Sequence, residues 1–318
     1  MKKTIYHMEL LNDTSMGLQV LDYLILSSGS DTRACEVLKK YASQGIVIKT
    51  VVIINYRERL LDSKYTDNIF SYKSYSSFNT KEIECDIKDP SSSLQGLLDI
   101  EFKPESIIGV DISYLTKPHL FFILKLLKQR FLIRKLIVFY TEPKTYLFTK
   151  GLFDTFKTSS GPLSISEIQG FSGQRERGAK TILIILLGFD GGLSKEINED
   201  VSPNQTFVIN GFPSYSPKFK DISLITNEKL VSDKNISVRY SRANSPFEIY
   251  NLLQEIKSLE KNVFINIAPL GTKPMALGAC LFALHNPEVR IIYPLPDTYE
   301  SKYTDLSWNT WQYVLPMN

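Results

Sequence analysis

The stretch Thr181-Ile182-Leu183-Ile184-Ile185-Leu186-Leu187-Gly188-Phe189-Asp190-Gly191-Gly192 decides how the chain is read. An unbroken apolar run of this length, rich in Ile and closed by glycine, has the pattern of a strand buried on both faces. Such strands belong to parallel sheets, whose neighbours must be joined by a crossover, usually a helix. A helical stretch does follow the glycines, and Thr206–Ile209 is the next strand. Further on, Ser245-Pro246-Phe247-Glu248 opens a helix: Ser can cap, Pro fits the first turn, and Glu three places on completes a capping box. Val263–Ile267 and Val289–Tyr293 are later strands, with a helix over Met275–Leu284 between them.

The preceding half has the same plan. Asp22–Ser27 is a short apolar strand ending in Ser28-Gly29-Ser30-Asp31. A helix comes next over Thr32–Ser43, with Ala34, Val37, Leu38 and Tyr41 at helical spacing, and Gly45 closes it. Ile48–Ile54, Ser106–Ile112 and Leu136–Tyr140 read as strands, and Leu120–Lys128 as a helix. Three motifs recur in order. Gly29-Ser30-Asp31 returns as Gly188-Phe189-Asp190, 159 residues later. Thr116-Lys117-Pro118 returns as Thr272-Lys273-Pro274 at a spacing of 156, with Gly271 as an extra residue in the second copy. Tyr140-Thr141-Glu142-Pro143-Lys144-Thr145-Tyr146 returns as Tyr293-Pro294-Leu295-Pro296-Asp297-Thr298-Tyr299 at 153. Slowly drifting spacings indicate an internal duplication. The expected fold is therefore α/β, two tandem Rossmann-like units with parallel sheets. The expected boundaries are 1–150, a connector over 151–178, and 179–318. Lys64–Lys81, rich in Ser, Tyr and Asn, reads as a loop over a pocket or as an ordinary surface excursion.

Composition excludes several classes. With 43% hydrophobic and 22% charged residues, the chain is neither disordered nor membrane-like. A net charge of +3 gives no strong nucleic-acid signal and no polybasic anchor. Three dispersed cysteines, Cys35, Cys85 and Cys280, make neither a disulfide framework nor a zinc site, and point to reduced thiols in a cytoplasmic protein. The start lacks a signal-peptide core, and no apolar run reaches the roughly 20 residues that cross a bilayer. The three histidines, His7, His119 and His285, have no partners at metal-binding spacing, and HExxH, GxSxG, GxGxxG and Walker A patterns are absent. No metal and no cofactor is expected.

Ligands of open parallel sheets bind beyond the carboxyl ends of the strands, where all three repeated motifs fall. Gly271 permits a tight turn, Pro274 fits the first helical turn, and Thr272 and Lys273 offer a hydroxyl and a cation at a helix N-terminus. That is an anion cradle; the plainer reading is a tight strand-to-helix turn with a solvated lysine. Asp190, beside Gly191, and Asp31 can bind a ribose hydroxyl or simply cap the helices after them. Tyr293, Tyr299, Tyr303, Trp308 and Trp311 can stack on a base or, as aromatics near a chain end more often do, seal the core edge.

Phe264–Ala279 (FINIAPLGTKPMALGA) resembles the signature of the CARF domains, the CRISPR-associated Rossmann folds. There a strand ends in Asn and a turn leads to G-T-K-x-M at a helix start. Asn266, Gly271, Thr272, Lys273 and Met275 match, while Pro269 and Leu270 stand where that family usually has Thr and Gly. The resemblance implies binding of cyclic oligoadenylates, usually across a two-fold interface that a duplicated chain or a homodimer could supply. The ligand-binding residues expected from the strand-end turns, the repeat and the resemblance together are Asp190, Gly191, Asn266, Gly271, Thr272, Lys273, Asp31 and Lys117. The resulting expectation is a sensor or regulator of a nucleotide-like anionic ligand in bacterial antiviral defence or stress, acting on an effector protein. The alternatives are an enzyme hydrolysing or transferring a phosphorylated or nucleotide substrate at the same cleft, and an interaction module that has lost its ligand.

Overall fold

The apolar runs rich in Ile and Val form parallel strands, and helices cross back over each sheet between them. The computed structural model describes residues 7–11, 20–74, 78–146, 159–160, 164–295, 298–299 and 304–316. Along the chain the elements are β1 (His7–Leu10), β2 (Val20–Ser27), α1 (Glu36–Ser43), β3 (Val47–Tyr56), α2 (Ser63–Ser74), β4 (Asn79–Cys85), α3 (Leu94–Leu98), β5 (Ile108–Asp111), α4 (Lys117–Gln129) and β6 (Lys135–Tyr146). Then come β7 (Ser159–Ser160), β8 (Ser164–Glu167), β9 (Lys180–Leu186), α5 (Gly191–Val201), β10 (Gln205–Gly211), α6 (Pro217–Thr226), α7 (Glu228–Val231) and β11 (Ile236–Ser241). The chain ends with α8 (Pro246–Leu259), β12 (Val263–Pro269), α9 (Lys273–His285), β13 (Arg290–Leu295), β14 (Thr298–Tyr299) and β15 (Thr304–Pro316). Short 3-10 turns include Thr32–Cys35, ahead of α1.

Two compact units result: Met1–Leu147 with Thr304–Asn318, and Phe148–Tyr303. The expected 179–318 unit thus differs from the observed one at both ends. The last strand returns to the first unit, and the expected 151–178 connector contains β8, which pairs antiparallel with β13. In the first unit the sheet order is β1-β15-β6-β5-β2-β3-β4, and in the second β11-β10-β9-β12-β13-β8. Numbering only the parallel strands, both sheets run third, second, first, fourth, fifth. Each then gains an antiparallel strand beside the fifth, β15 on β6 and β8 on β13.

The cores arise from burial on both faces. In β9 every residue after Lys180 is buried. α9 is apolar nearly all round, with Pro274 through Ala283 buried, as a helix enclosed by its neighbours must be. Around β2 and β3 the first core gathers Leu24, Val51, Ile53, Tyr41 and Phe139; in the second, Leu183, Ile185, Val208 and Ile292 meet Ile197. Glu142 on β6 is buried, and burial pushes its carboxyl up despite bonds from Trp311 Nε1 (2.5 Å) and Asn309 Nδ2 (3.2 Å) on β15. Trp311 thus ties β15 to β6 inside the sheet, with β1 on the other side of β15. Tyr303 lies outside the described residues, as do the side chains of Tyr146, Tyr299 and Trp308.

Two local expectations are corrected. Lys64–Lys81 is no loop: its first part is α2 and its last residues enter β4, an edge strand whose polar residues face out. At α8, Ser245 caps Glu248 N (3.2 Å), but the Glu248 carboxylate turns to Arg242 N (3.0 Å) instead of closing the capping box. The three cysteines are free and buried, and no helix among the described residues is long and apolar enough to cross a membrane.

Gly278 is the contact point of α8 and α9: a Cβ there would stand 2.4 Å from Pro246 O and 2.7 Å from Ile249 Cβ. Helix propensity favours Ala over Gly by about 1 kcal/mol, but overpacking against a fixed carbonyl costs about 1–3 kcal/mol. Gly278→Ala is therefore expected to lower the urea-unfolding free energy, and a more stable variant would contradict this packing.

Candidate functional site

In the second unit, β9 and β12 are hydrogen-bonded neighbours, so the turns after them lie side by side. The contact is backbone to backbone. A Cβ on Gly188 would come within 2.6 Å of Leu270 O, and one on Gly271 within 3.1 Å of Leu187 O. Glycine is required at Gly188 by the neighbouring turn, and at Gly271 a Cβ would be tight against it. Asp190 caps α5, accepting from Leu193 N at 3.3 Å. Thr272 caps α9 with extended backbone, accepts from Met275 N at 3.3 Å, and donates to Ala243 O at 2.5 Å. Lys273, half-buried, opens the helix, and Pro274 behind it is buried.

The carbonyl of Gly188, where the chain leaves the sheet, accepts from Asn227 Nδ2 and from Ser223 Oγ, each at 3.0 Å. The loops after β10 and β11 join the same end of the sheet. Tyr215 Oη donates to Ala243 O (3.0 Å), and Ala243 N donates to Pro213 O (3.0 Å). Phe189 packs edge-on against Phe219.

The first unit repeats this construction with different chemistry. Thr116 caps α4 with nearly the same backbone angles as Thr272, accepting from His119 N (3.4 Å). Its N–H donates to Tyr56 Oη (3.0 Å), and its hydroxyl meets His119 Nδ1 (2.7 Å). Burial lowers the His119 imidazole to about 4 and the Lys117 ammonium to about 7. Asp31 caps the 3-10 turn through Arg33 N (2.9 Å) and pairs with the Arg33 guanidinium, Nε to Oδ1 at 3.1 Å and Nη2 to Oδ2 at 3.0 Å. Arg33 is 6% exposed and also donates to Tyr114 Oη at 3.2 Å. Burial alone would raise the Asp31 carboxyl, but the Arg33 charge and its hydrogen bonds outweigh burial and hold it below the usual range. Gly29 lies under the Tyr114 ring, where a Cβ would meet carbon at 2.5 Å, and its carbonyl accepts from Asn68 Nδ2 at 2.5 Å.

Of the eight residues marked by sequence, Asp190, Gly191, Gly271, Thr272 and Lys273 come together at the carboxyl end of the second sheet. Asp31 and Lys117 hold the equivalent places in the first. Asn266 stands apart: it is fully buried inside β12, accepting from Arg290 Nε (2.5 Å) and donating to Ile182 O (3.4 Å). Gly191 serves packing, since a Cβ there would overlap Thr226 O at 1.7 Å. Sequence reasoning missed the two asparagines. Asn68 and Asn227 stand 159 residues apart, the same spacing as Gly29 and Gly188, and that spacing was a usable signal. Among the described residues no group of three or more His, Cys, Asp or Glu is placed to hold a metal.

No protein-family model and no curated protein matches the sequence. Among solved structures, the fold is similar to a type III CRISPR defence DNA nuclease activated by cyclic oligoadenylate, with TM-score 0.54 and 10% identity over 86% of this chain. The chain spans 65% of the length of that nuclease. Two further matches are more distant. One is the cytoplasmic domain of a prokaryotic cation chloride cotransporter, at TM-score 0.28 and 11% identity over 89% of this chain and 98% of that one. The other is a universal stress protein from Pseudomonas aeruginosa UCBPP-PA14, at 0.25 and 10% over 87% and 94%. At this identity the nuclease shows the fold: mixed α/β with two mostly parallel sheets.

Two pH dependences arise from the first unit. The Asp31 carboxyl titrates lower folded than unfolded, so its contribution is present above about pH 3.9 and is lost as pH falls through the folded value. Arg33→Ala should cost about 3 kcal/mol near neutrality, and that deficit should shrink in acid unfolding curves. The Lys117 ammonium titrates lower folded, so the folded state holds fewer protons between about pH 7 and about pH 10.4, and stability rises with pH there. Lys117→Met should flatten that rise in urea unfolding measured across this range.

Proposed function

We propose that the chain binds a nucleotide-type phosphorylated ligand, cyclic oligoadenylate, as a sensor or regulator in a bacterial defence pathway. The observation that carries this reading is the placement of Thr272 and Lys273. They stand at the N-terminus of α9, beside the Gly188–Asp190 turn, at the carboxyl end of a parallel sheet. The fold likeness to a nuclease described as activated by cyclic oligoadenylate supports the choice of ligand class.

The roles divide by chemistry. Lys273 supplies the cation for a phosphodiester, and α9 places its positive dipole end there. Thr272 shapes the turn, because both hydrogen-bonding capacities of its hydroxyl that the structure describes are spent on Met275 N and Ala243 O. Asp190 caps α5 and presents a carboxylate for a ribose hydroxyl. The sequence-level repeat and the shared strand order support an origin by duplication. Output passes to an effector protein or through a homodimer.

Calorimetric titration with cyclic tetra-adenylate, with Lys273→Ala beside the wild type, tests the reading. Heat with the wild type and a loss of at least about tenfold in affinity in the variant is the expected result. Equal affinity in both proteins overturns the role of the turn. Lysine-dependent appearance of a cleaved product during the titration would recast the protein as an enzyme on the same ligand.

A further inference from the structure

Eight large apolar side chains are exposed among the described residues, and only two of them are aromatic. These are Phe212, 52% exposed, and Tyr240, 51% exposed, and they stand against each other with ring centroids 6.3 Å apart and planes at 77°. Single exposed aliphatic side chains are ordinary surface. Two wet rings in contact are a surface that a flat ligand can cover.

The pair sits at the carboxyl end of the second sheet. Tyr240 is the penultimate residue of β11, and Phe212 is the first residue after β10. Phe212 N donates to Ser241 O at 2.7 Å, which fixes the two strand ends against each other. Ala243 N then donates to Pro213 O (3.0 Å), and Ala243 O accepts from Thr272 Oγ1. The loops that carry the rings are thus hydrogen-bonded to the turn that opens α9.

A cation stands at the rings. Lys220 on α6 places Nζ 5.3 Å from the Phe212 centroid. Its backbone is held by the buried Asn210, whose Nδ2 donates to Lys220 O at 3.2 Å. The ion pair of Lys220 with Asp221, at 3.2 Å, is a surface pair of little strength, since Asp221 is 62% exposed. Lys220 can therefore share its charge with a phosphate beside the rings. The first unit treats the equivalent place differently. There β3 also ends in an aromatic, Tyr56, but that ring is fully buried and its hydroxyl accepts from Thr116 N (3.0 Å). Tyr56 is part of the frame, whereas Phe212 and Tyr240 are left half in water.

Flat apolar surface beside a cation, at the ligand end of a parallel sheet, matches a nucleobase attached to a phosphodiester. Resting on the reading that the chain binds an oligoadenylate, we propose that Phe212 and Tyr240 form a stacking platform for an adenine base of that ligand, with Lys220 on an adjoining phosphate. The Thr272–Lys273 turn holds the ligand backbone, and the platform holds a base.

Equilibrium dialysis of the full chain with radiolabelled cyclic tetra-adenylate tests the platform, with thermal melting confirming that each variant is folded. Phe212→Leu and Tyr240→Leu keep apolar bulk and remove the flat face; Phe212→Tyr and Tyr240→Phe keep the face. Each Leu variant is expected to lose about fivefold or more in affinity, and each aromatic variant to stay within about twofold of the wild type. Lys220→Met is expected to weaken binding and to make it less dependent on salt. An unchanged salt dependence in that variant overturns the phosphate role of Lys220. Wild-type affinity in both Leu variants, or equal losses in the Leu and the aromatic variants, overturns the platform while leaving oligoadenylate binding standing. Self-association of the ligand-free wild type in sedimentation velocity that both Leu variants abolish overturns it as well, because the rings are then a contact between copies. No retention of label by the wild type overturns the binding reading itself, and the platform falls with it.

Discussion

A side-chain amide on one backbone carbonyl fixes the geometry of the candidate site. Where the first strand of each unit ends, the chain turns out of the sheet, and the glycine carbonyl there loses its ladder partner. Left buried and unpaired, that oxygen would cost free energy comparable to a lost hydrogen bond. Asn68 supplies a donor to Gly29, and Asn227 together with Ser223 does so for Gly188. With the carbonyl held, the next residues have one way to run. Asp31 then arrives as the cap of the 3-10 turn ahead of α1, and Asp190 as the cap of α5. The central strand pairs, β2 with β5 and β9 with β12, place the Thr-Lys-Pro turns beside them.

On this common frame the two units place their charges differently. In the first, the Asp31 carboxylate and the Arg33 guanidinium are both largely removed from water, at 14% and 7% side-chain exposure. An ion pair so placed gains little over an apolar filling, but loses much if one partner is removed. It is therefore suited to holding a turn closed. Lys117 stands on the same unit with its ammonium brought down to about 7 by burial. The second unit has glycine where the first has arginine.

Much of the fold was legible because burial on both faces leaves a continuous apolar signature: the cores of β2, β3, β6, β9, β12 and β13 all stand where such runs occur. The start of α9 was legible from Pro274 in its first turn, whereas the capping by Thr272 and Thr116 was not read. The elements that escaped are those whose pattern is set by distant partners. β4 lies at a sheet edge and reads as polar, because only Ile83 and Cys85 turn inward. β15 is separated by the whole second unit from β6, its main pairing partner, and no local periodicity announces that it crosses back. α2 is polar because much of its surface faces solvent, while Tyr72 and Asn68 bind Ser27 O and Gly29 O. A sequence window sees the solvated residues and reads a loop.

The site was harder to read than the fold, and the glycines show why. A glycine at a strand end is demanded equally by an approaching phosphate and by an approaching backbone, and sequence cannot tell the two apart. The structure separates them by what lies beyond the missing Cβ. At Gly191 it is Thr226 O, at Gly188 Leu270 O, and at Gly271 Leu187 O, so these three are spent on the protein's own packing. At Gly192 a Cβ would meet, among the described residues, only Asp190 Oδ1, at 3.4 Å. Asn266 makes the same point from the other direction, because a motif position that looks like a ligand contact is used inside the strand by Arg290 and Ile182. In the proposed reading, recognition rests on two groups around one turn, the half-buried Lys273 at the head of α9 and the carboxylate of Asp190. They offer a cation and an anion. That combination suits a ligand carrying both phosphate and hydroxyl groups better than a bare anion, which Asp190 would repel.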